Sequence, residues 1–283
     1  MKGKHVAITG PTAGIGRTTS LELARQGAQL TLLCRSAEKA ELLAQEIIAL
    51  GGPSPDIVIM DMASLDSVQA AAEALVAQGK ALDVLLNNAG VINTSRKETV
   101  DGFEETLAVN HFAPFLLTGL LLPLLQQAEG ARIVNVASDA HSFVKNMGLD
   151  DMQALQSYKT FREYGRSKLA NILFTRRLSQ QLSDQGITVN CLHPGAVSTS
   201  LGTQNNGLLG KLLPLLLKPF FRTPQQGAET SIYLCSSDAV AGVTGEYFVD
   251  CKVRKTKAWA RDDAEAERLW QYTEGCLEYS FPV

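Results

Sequence analysis

Val6-Ala7-Ile8-Thr9-Gly10-Pro11-Thr12-Ala13-Gly14-Ile15-Gly16 sets a short apolar run against a glycine-spaced turn, with a helix-like segment following over 17–26. The run has the length of a buried strand, and glycine interrupts it where a tight turn is needed. A strand, turn, helix unit is the expected outcome. Glycines spaced G-x-x-x-G-x-G let backbone press close to a phosphate, and the first N–H groups and dipole of the helix favour a pyrophosphate there. Such a turn alone does not define a cofactor loop, so the rest of the chain decides.

Outward from it, the alternation continues. Strand-like runs stand at Leu30-Thr31-Leu32-Leu33-Cys34, Asp56-Ile57-Val58-Ile59-Met60, Leu82-Asp83-Val84-Leu85-Leu86, Arg132-Ile133-Val134-Asn135-Val136 and Thr188-Val189-Asn190-Cys191-Leu192. Helix-like segments fall between them over 37–49, 65–77, 103–122 and 168–182. Continuous apolar strands are buried on both faces, and their alternation with helices predicts a parallel sheet with right-handed crossovers. The expected fold class is α/β, a single-domain Rossmann fold over 1–283 with a doubly wound sheet of about seven strands and helices on both faces. Residues 139–163 and 205–222 depart from the alternation. They are expected as insertions, with a substrate loop over 200–222 and a C-terminal extension over 251–283.

Composition removes several classes of function. The chain has 283 residues, with 26 Lys+Arg against 29 Asp+Glu and a net charge of −3, so there is no basic footprint for nucleic acid. Five cysteines, widely spaced and without Cys-x-x-Cys, indicate neither a disulfide framework nor a zinc site, and a reducing, cytoplasmic setting is expected. The leucine-rich stretches over 116–125 and 208–217 are too short and too interrupted to be read as transmembrane anchors.

The carboxyl ends of the strands collect residues suited to chemistry, as ligand sites in such sheets require. Arg35 stands after the second strand, where an acid commonly binds a ribose 2′-hydroxyl; an arginine pairs instead with a 2′-phosphate, which favours NADP. A solvated surface arginine is the plain alternative. Asp61 follows the third strand and Asn87-Asn88-Ala89-Gly90 the fourth, positions that suit an adenine contact and a crevice-shaping turn, or simply a helix cap and a plain turn.

Tyr164-Gly165-Arg166-Ser167-Lys168 places a phenol and an ammonium four residues apart, on one face of a helix. A nearby cation lowers a phenol pKa from its ordinary value of about 10 toward the range useful for proton transfer, which makes Tyr164 a candidate acid/base. Ser138, closing the fifth strand, is suited to hydrogen-bond a reacting carbonyl oxygen, and Asn110 to order a water.

Through Thr9-Gly10-x-x-x-Gly14-x-Gly16, Asp61, Asn87-Asn88-Ala89-Gly90, Asn110, Ser138, Tyr164-x-x-x-Lys168 and Pro194-Gly195, residues 4 to 250 resemble the short-chain dehydrogenase/reductase family. The resemblance implies a catalytic tetrad of Asn110, Ser138, Tyr164 and Lys168. It implies cofactor contacts at Gly10, Thr12, Gly14, Ile15, Gly16, Arg35, Asp61, Met62, Asn87, Ala89, Gly90, Tyr164, Lys168, Pro194, Gly195, Val197 and Thr199. Leu32-Leu33-Cys34-Arg35, Ala140-His141 and Ser167-Lys168-Leu169-Ala170-Asn171 are similar to the retinol dehydrogenase branch and its WW-domain oxidoreductase relatives. Arg35 favours NADPH, with NAD as the lesser choice, and the branch implies a small lipophilic carbonyl or alcohol substrate such as a retinoid, steroid or aldehyde.

The chain departs from the branch in two places: no membrane-anchoring N-terminal helix is expected ahead of Val6, and Ala137 stands where many relatives have a second serine. The leucine-rich segment 208–221 is expected to face substrate, a membrane surface or a sister subunit, since the family commonly forms homodimers or homotetramers through its long helices. His141 and His193 have no partner at ligand spacing and are expected to be structural. A non-catalytic cofactor-sensing scaffold and a light-driven protochlorophyllide reductase are the competing readings; the retained Tyr164 and Lys168 argue against the first.

Overall fold

His5–Thr9 forms strand β1, buried at every position, as a strand flanked by two others and covered on both faces must be. In the computed structural model, which describes residues 1–196 and 222–283, the remaining strands are β2 (Gln29–Cys34), β3 (Asp56–Ile59), β4 (Val84–Asn87), β5 (Arg132–Val136), β6 (Thr188–His193), β7 (Tyr247–Val249) and β8 (Lys252–Val253). They make one eight-stranded sheet in the order β3-β2-β1-β4-β5-β6-β7-β8. All neighbours are parallel except β7 and β8, which pair antiparallel. β8 is the strand beyond the expected seven. It joins β7 through Asp250 and Cys251, both left-handed with φ of 53° and 58°, the backbone shape of a tight hairpin.

Successive strand residues feed opposite faces. Val6 and Ile8 enter one core with Leu30, Leu32, Val84, Leu86, Val134 and Val136, whereas Ala7, Leu33, Leu85 and Ile133 enter the other. Helices α1 (Gly14–Arg25), α2 (Ala37–Ala49) and α6 (Pro224–Ser236) cover the first face. Helices α3 (Leu65–Gln78), α4 (Glu105–Leu125), α5 (Thr160–Gln181) and α7 (Asp263–Leu277) cover the second. Local chemistry sets the helix ends: Ser36 and Ser64 cap α2 and α3 by accepting from Lys39 N and Ser67 N, and Gly79, at φ 65°, closes α3.

Three helices depart from the sequence reading. α1 starts at Gly14, inside the glycine turn, and α5 starts at Thr160, two turns ahead of the apolar segment 168–182 and one turn ahead of Tyr164, already expected on that helix. α4 is not uniform: an α turn at Glu105–Leu107 gives way to a π turn at Ala108–Phe112 before α geometry resumes over Ala113–Leu125. Among the described residues α4 is the one helix long and apolar enough to cross a membrane, yet 89% of its apolar window is buried inside the domain. Here it is a core helix.

The C-terminal extension belongs to the core. Trp270 of α7 packs against Phe115 of α4 and Phe174 of α5 at centroid distances of 4.9 and 5.9 Å, and Phe281 reaches Phe115 at 5.0 Å.

Candidate active site

Strand order reverses between β1 and β4, and the loops leaving their carboxyl ends meet at that crevice. Thr9 Oγ accepts from the backbone N–H groups of Asn88 and Ala89, each at 2.9 Å. The Asn88 side chain returns the link, donating to the carbonyls of Thr9 at 2.9 Å and Gly10 at 3.1 Å. Gly10 is left-handed, at φ 63°, and a Cβ on Gly16 would stand 2.2 Å from the Gly10 carbonyl oxygen. The turn therefore folds onto itself with only hydrogen atoms between its walls. α1 begins there with no side-chain cap on its first N–H groups, and its first turn holds no acidic residue. Free amides, a helix dipole and a cradle that a Cβ would fill suit a pyrophosphate, so these residues fit a dinucleotide. Thr12 and Gly14 border the cradle, while Ile15 turns inward and is buried.

The other expected cofactor positions sort by what their side chains do. Arg35 is exposed just past β2 and forms no ion pair among the described residues, as a phosphate-pairing residue would. Asp61 accepts from Ala63 N at 3.0 Å in a local turn ahead of α3, whose N-cap is Ser64, so it is not the helix cap, and Met62 is buried. Asn87 donates to Thr118 Oγ at 3.1 Å and Asn135 Oδ1 at 2.9 Å, so its side chain is committed to the core beneath the crevice. Asn135 in turn donates to Thr175 Oγ at 2.9 Å. Gly90 faces the tetrad: a Cβ there would lie 3.2 Å from Asn110 Oδ1 and 3.5 Å from Lys168 Nζ. Pro194 and Gly195 follow β6, with Gly195 at φ 86° under the Arg222 side chain. Val197, Thr199 and the segment 208–221 lie outside the described residues.

The four tetrad residues converge. Asn110 sits in the π turn, where its side chain accepts from Val91 N at 2.8 Å and donates to Val91 O at 3.0 Å and Ser167 Oγ at 2.9 Å. Ser138, just past the end of β5, accepts from Ala140 N at 3.2 Å, which fixes its rotamer, and its hydroxyl lies close enough to the Tyr164 phenol to favour the phenolate. Lys168 lies one turn beyond Tyr164 on α5, with Nζ 5.6 Å from the ring centroid and donating to Val136 O at 2.9 Å. His141 and His193 frame the same turn: His141 Nδ1 lies 2.8 Å from Ser138 O, and Asp139 N donates to His193 Nδ1 at 3.3 Å.

The electrostatics correct one expectation. Lys168 is expected to lower the Tyr164 pKa, but burial pushes this phenol up to about 12, against the opposing effect of the nearby Ser138 hydroxyl. Burial also brings Lys168 down to about 8 from 10.5. Desolvation penalises both charged forms and, in this arrangement, outweighs the attraction between them.

Sequence reasoning passed over Asn88 as more than part of a turn, and over Ser167, Thr118, Asn135 and Thr175. For Thr118 and Asn135 a signal was present, since each is a polar residue within a buried apolar run, where it needs a partner.

The short chain dehydrogenase family model matches residues 4–207. Retinol dehydrogenase 14 of Mus musculus is 43% identical over 293 aligned positions, covering 97% of this chain and 86% of that protein. Among solved structures, an uncharacterized protein from Mycobacterium paratuberculosis superposes with a TM-score of 0.80 at 29% identity, covering 100% of this chain and 96% of that one. A Pseudomonas aeruginosa RhlG/NADP active-site complex superposes with a TM-score of 0.70 at 25% identity, covering 88% of this chain and 94% of its own. The chain belongs to the short-chain dehydrogenase family. It is an oxidoreductase of that family related to the retinol dehydrogenases, acting on alcohol or carbonyl groups.

Proposed function

We propose that the protein is an NADP(H)-dependent oxidoreductase that transfers hydride between nicotinamide and the carbonyl or alcohol carbon of a lipophilic substrate, with Tyr164 as acid/base. The observation that carries this reading is the convergence of Ser138, Tyr164 and Lys168 at the glycine-lined crevice, with Lys168 Nζ 5.6 Å from the Tyr164 ring centroid. The bound nicotinamide supplies or takes up the hydride.

The chain's own residues do the rest. Ser138, its rotamer fixed by Ala140 N, hydrogen-bonds the substrate oxygen. A phenol with a pKa of about 12 is protonated at neutral pH, so Tyr164 is loaded to give a proton to the oxygen of a carbonyl undergoing reduction. Lys168 keeps a positive charge below about pH 8, which favours the phenolate left behind. Arg35, exposed and without an ion pair among the described residues, supports NADP over NAD by offering a guanidinium to a 2′-phosphate. A lipophilic substrate is supported by Phe143 and Phe161, both exposed, whose rings meet edge to face at 6.1 Å. Phe161 stands one helical turn before Tyr164 on the same stripe of α5 as Lys168.

The test is NADPH and NADH consumption against lipophilic aldehydes, ketones and retinoids, with Tyr164→Phe as control. Turnover with NADPH that the variant loses supports the reading. Tight NADPH binding without turnover across the panel would replace it with a cofactor-binding scaffold.

A further inference from the structure

α7 lies beyond the residues matched to the family model, yet it makes three contacts with two segments that border the site. Glu265, 5% exposed, accepts from Met147 N at 2.7 Å. Tyr272 Oη accepts from Gln153 Nε2 at 3.3 Å, and Gln153 Oε1 accepts from Glu104 N, the N-cap of α4, at 2.8 Å. Met147 and Gln153 lie in the excursion between Ser138 and α5. The third contact goes into the π turn. Thr273, fully buried, lies with Oγ 2.9 Å from His111 Nε2. Its hydroxyl donates to Leu269 O at 2.8 Å, so the oxygen accepts from His111 and the proton of that imidazole is on Nε2.

His111 follows Asn110 directly, and the two side chains grip opposite sides. Asn110 holds Val91 and Ser167, on the side of the crevice, while His111 holds α7. A π turn carries one more residue than the α ladder accommodates and persists where surrounding contacts define it. His111 is 1% exposed, and burial keeps it neutral, with its pKa brought down to about 3. It is therefore a steady donor to Thr273 at any pH at which the fold survives.

We infer that α7 is a strut for the active site, in which Thr273, acting through His111, sets the π turn and so the position of Asn110. Thr273 and His111 touch no reacting atom; they are positioning residues. The kinetic consequence rests on the function proposed above, whereas the structural one does not.

Thr273→Val removes the hydroxyl while keeping the shape, and Thr273→Ser keeps the hydroxyl. Both are made in the full chain and read by residue-resolved amide exchange, because Val91 N–H donates to Asn110 Oδ1 and reports its position. The loss of one buried hydrogen bond predicts exchange of Val91 roughly tenfold faster in the Val variant, with β2 amides unchanged and the Ser variant within about twofold of native. Per NADPH-binding site, kcat of the Val variant falls by roughly the same factor while the NADPH Kd stays within about twofold, and Ser restores it.

Unchanged Val91 protection, or a uniform rise across all amides, overturns the strut. So does failure of Ser to restore. If the Val variant does not fold, native-state exchange of the unmodified protein in low urea decides: opening of α7 must carry Val91 with it, and independent opening overturns the inference. A native protein that reduces no carbonyl would defeat the proposed function and leave the Val91 readout intact.

Discussion

Gly16 lies so close to Gly10 that a Cβ placed on it would stand 2.2 Å from the Gly10 carbonyl oxygen and 2.5 Å from Asn88 Nδ2. One hydrogen atom thus separates the first turn of α1 from the strand end that precedes it. This contact couples the fold to cofactor binding, since the same turn presents the free amides of the helix.

Gly16→Ala is therefore expected to abolish detectable NADPH binding by calorimetry, because backbone rather than a flexible side chain would have to move. Gly51→Ala is the control: Gly51 is left-handed at φ 80° but has no atom within 4 Å of its would-be Cβ. It should cost only about 1 kcal/mol in denaturant unfolding and leave NADPH affinity unchanged. Equal loss of binding in both variants would show that the close approach is not what matters.

Arg35→Asp should move cofactor preference from NADPH toward NADH. The guanidinium that suits a 2′-phosphate is replaced by a carboxylate that accepts from a 2′-hydroxyl and repels the phosphate. Arg35 is exposed and unpaired among the described residues, so the exchange disturbs no observed contact of the fold. Steady-state kcat/KM ratios for the two cofactors check it, and an unchanged ratio rejects the assignment.

Tyr164→Phe should reduce kcat by at least about 100-fold, the usual scale for a general acid. NADPH affinity should stay within about threefold by fluorescence titration, since ring and helix remain. Stability should not fall much, because the deleted hydroxyl is a desolvated group. A variant that turns over at the native rate removes Tyr164 from the chemistry.

The tetrad was legible because its members sit where strand ends and helical spacing put them: Ser138 closes an apolar run, and Tyr164 and Lys168 share a helix face. The π turn was not. α4 is apolar on nearly all sides, so inserting one extra residue leaves no break in its pattern. β7 escaped for a different reason: Tyr247–Val249 is too short to show a period and becomes a strand only by pairing with β6. Spacing also made Lys168 a neighbour of Tyr164 but could not weigh the cation against burial. That balance depends on depth beneath the surface, which tertiary packing alone sets.

Lys168 offers the sharpest test of that balance. Its folded pKa, about 8, lies below the ordinary 10.5, so between these values the unfolded chain holds a proton that the folded chain has shed. Native stability then rises with pH through this window, and below about pH 8 the buried charge costs on the order of 3 kcal/mol. Lys168→Met removes both the charge and its hydrogen bond to Val136 O, which offsets about 1 kcal/mol of the relief. The variant should be inactive yet have a Tm at pH 7 at or above that of the native protein. The difference should shift in favour of the native protein as pH is raised from 8 to 10.5, and be constant between pH 6 and 7.5. A gap independent of pH across the whole range would mean that Lys168 is solvated in the folded state, and that the electrostatic account of the Tyr164–Lys168 pair fails.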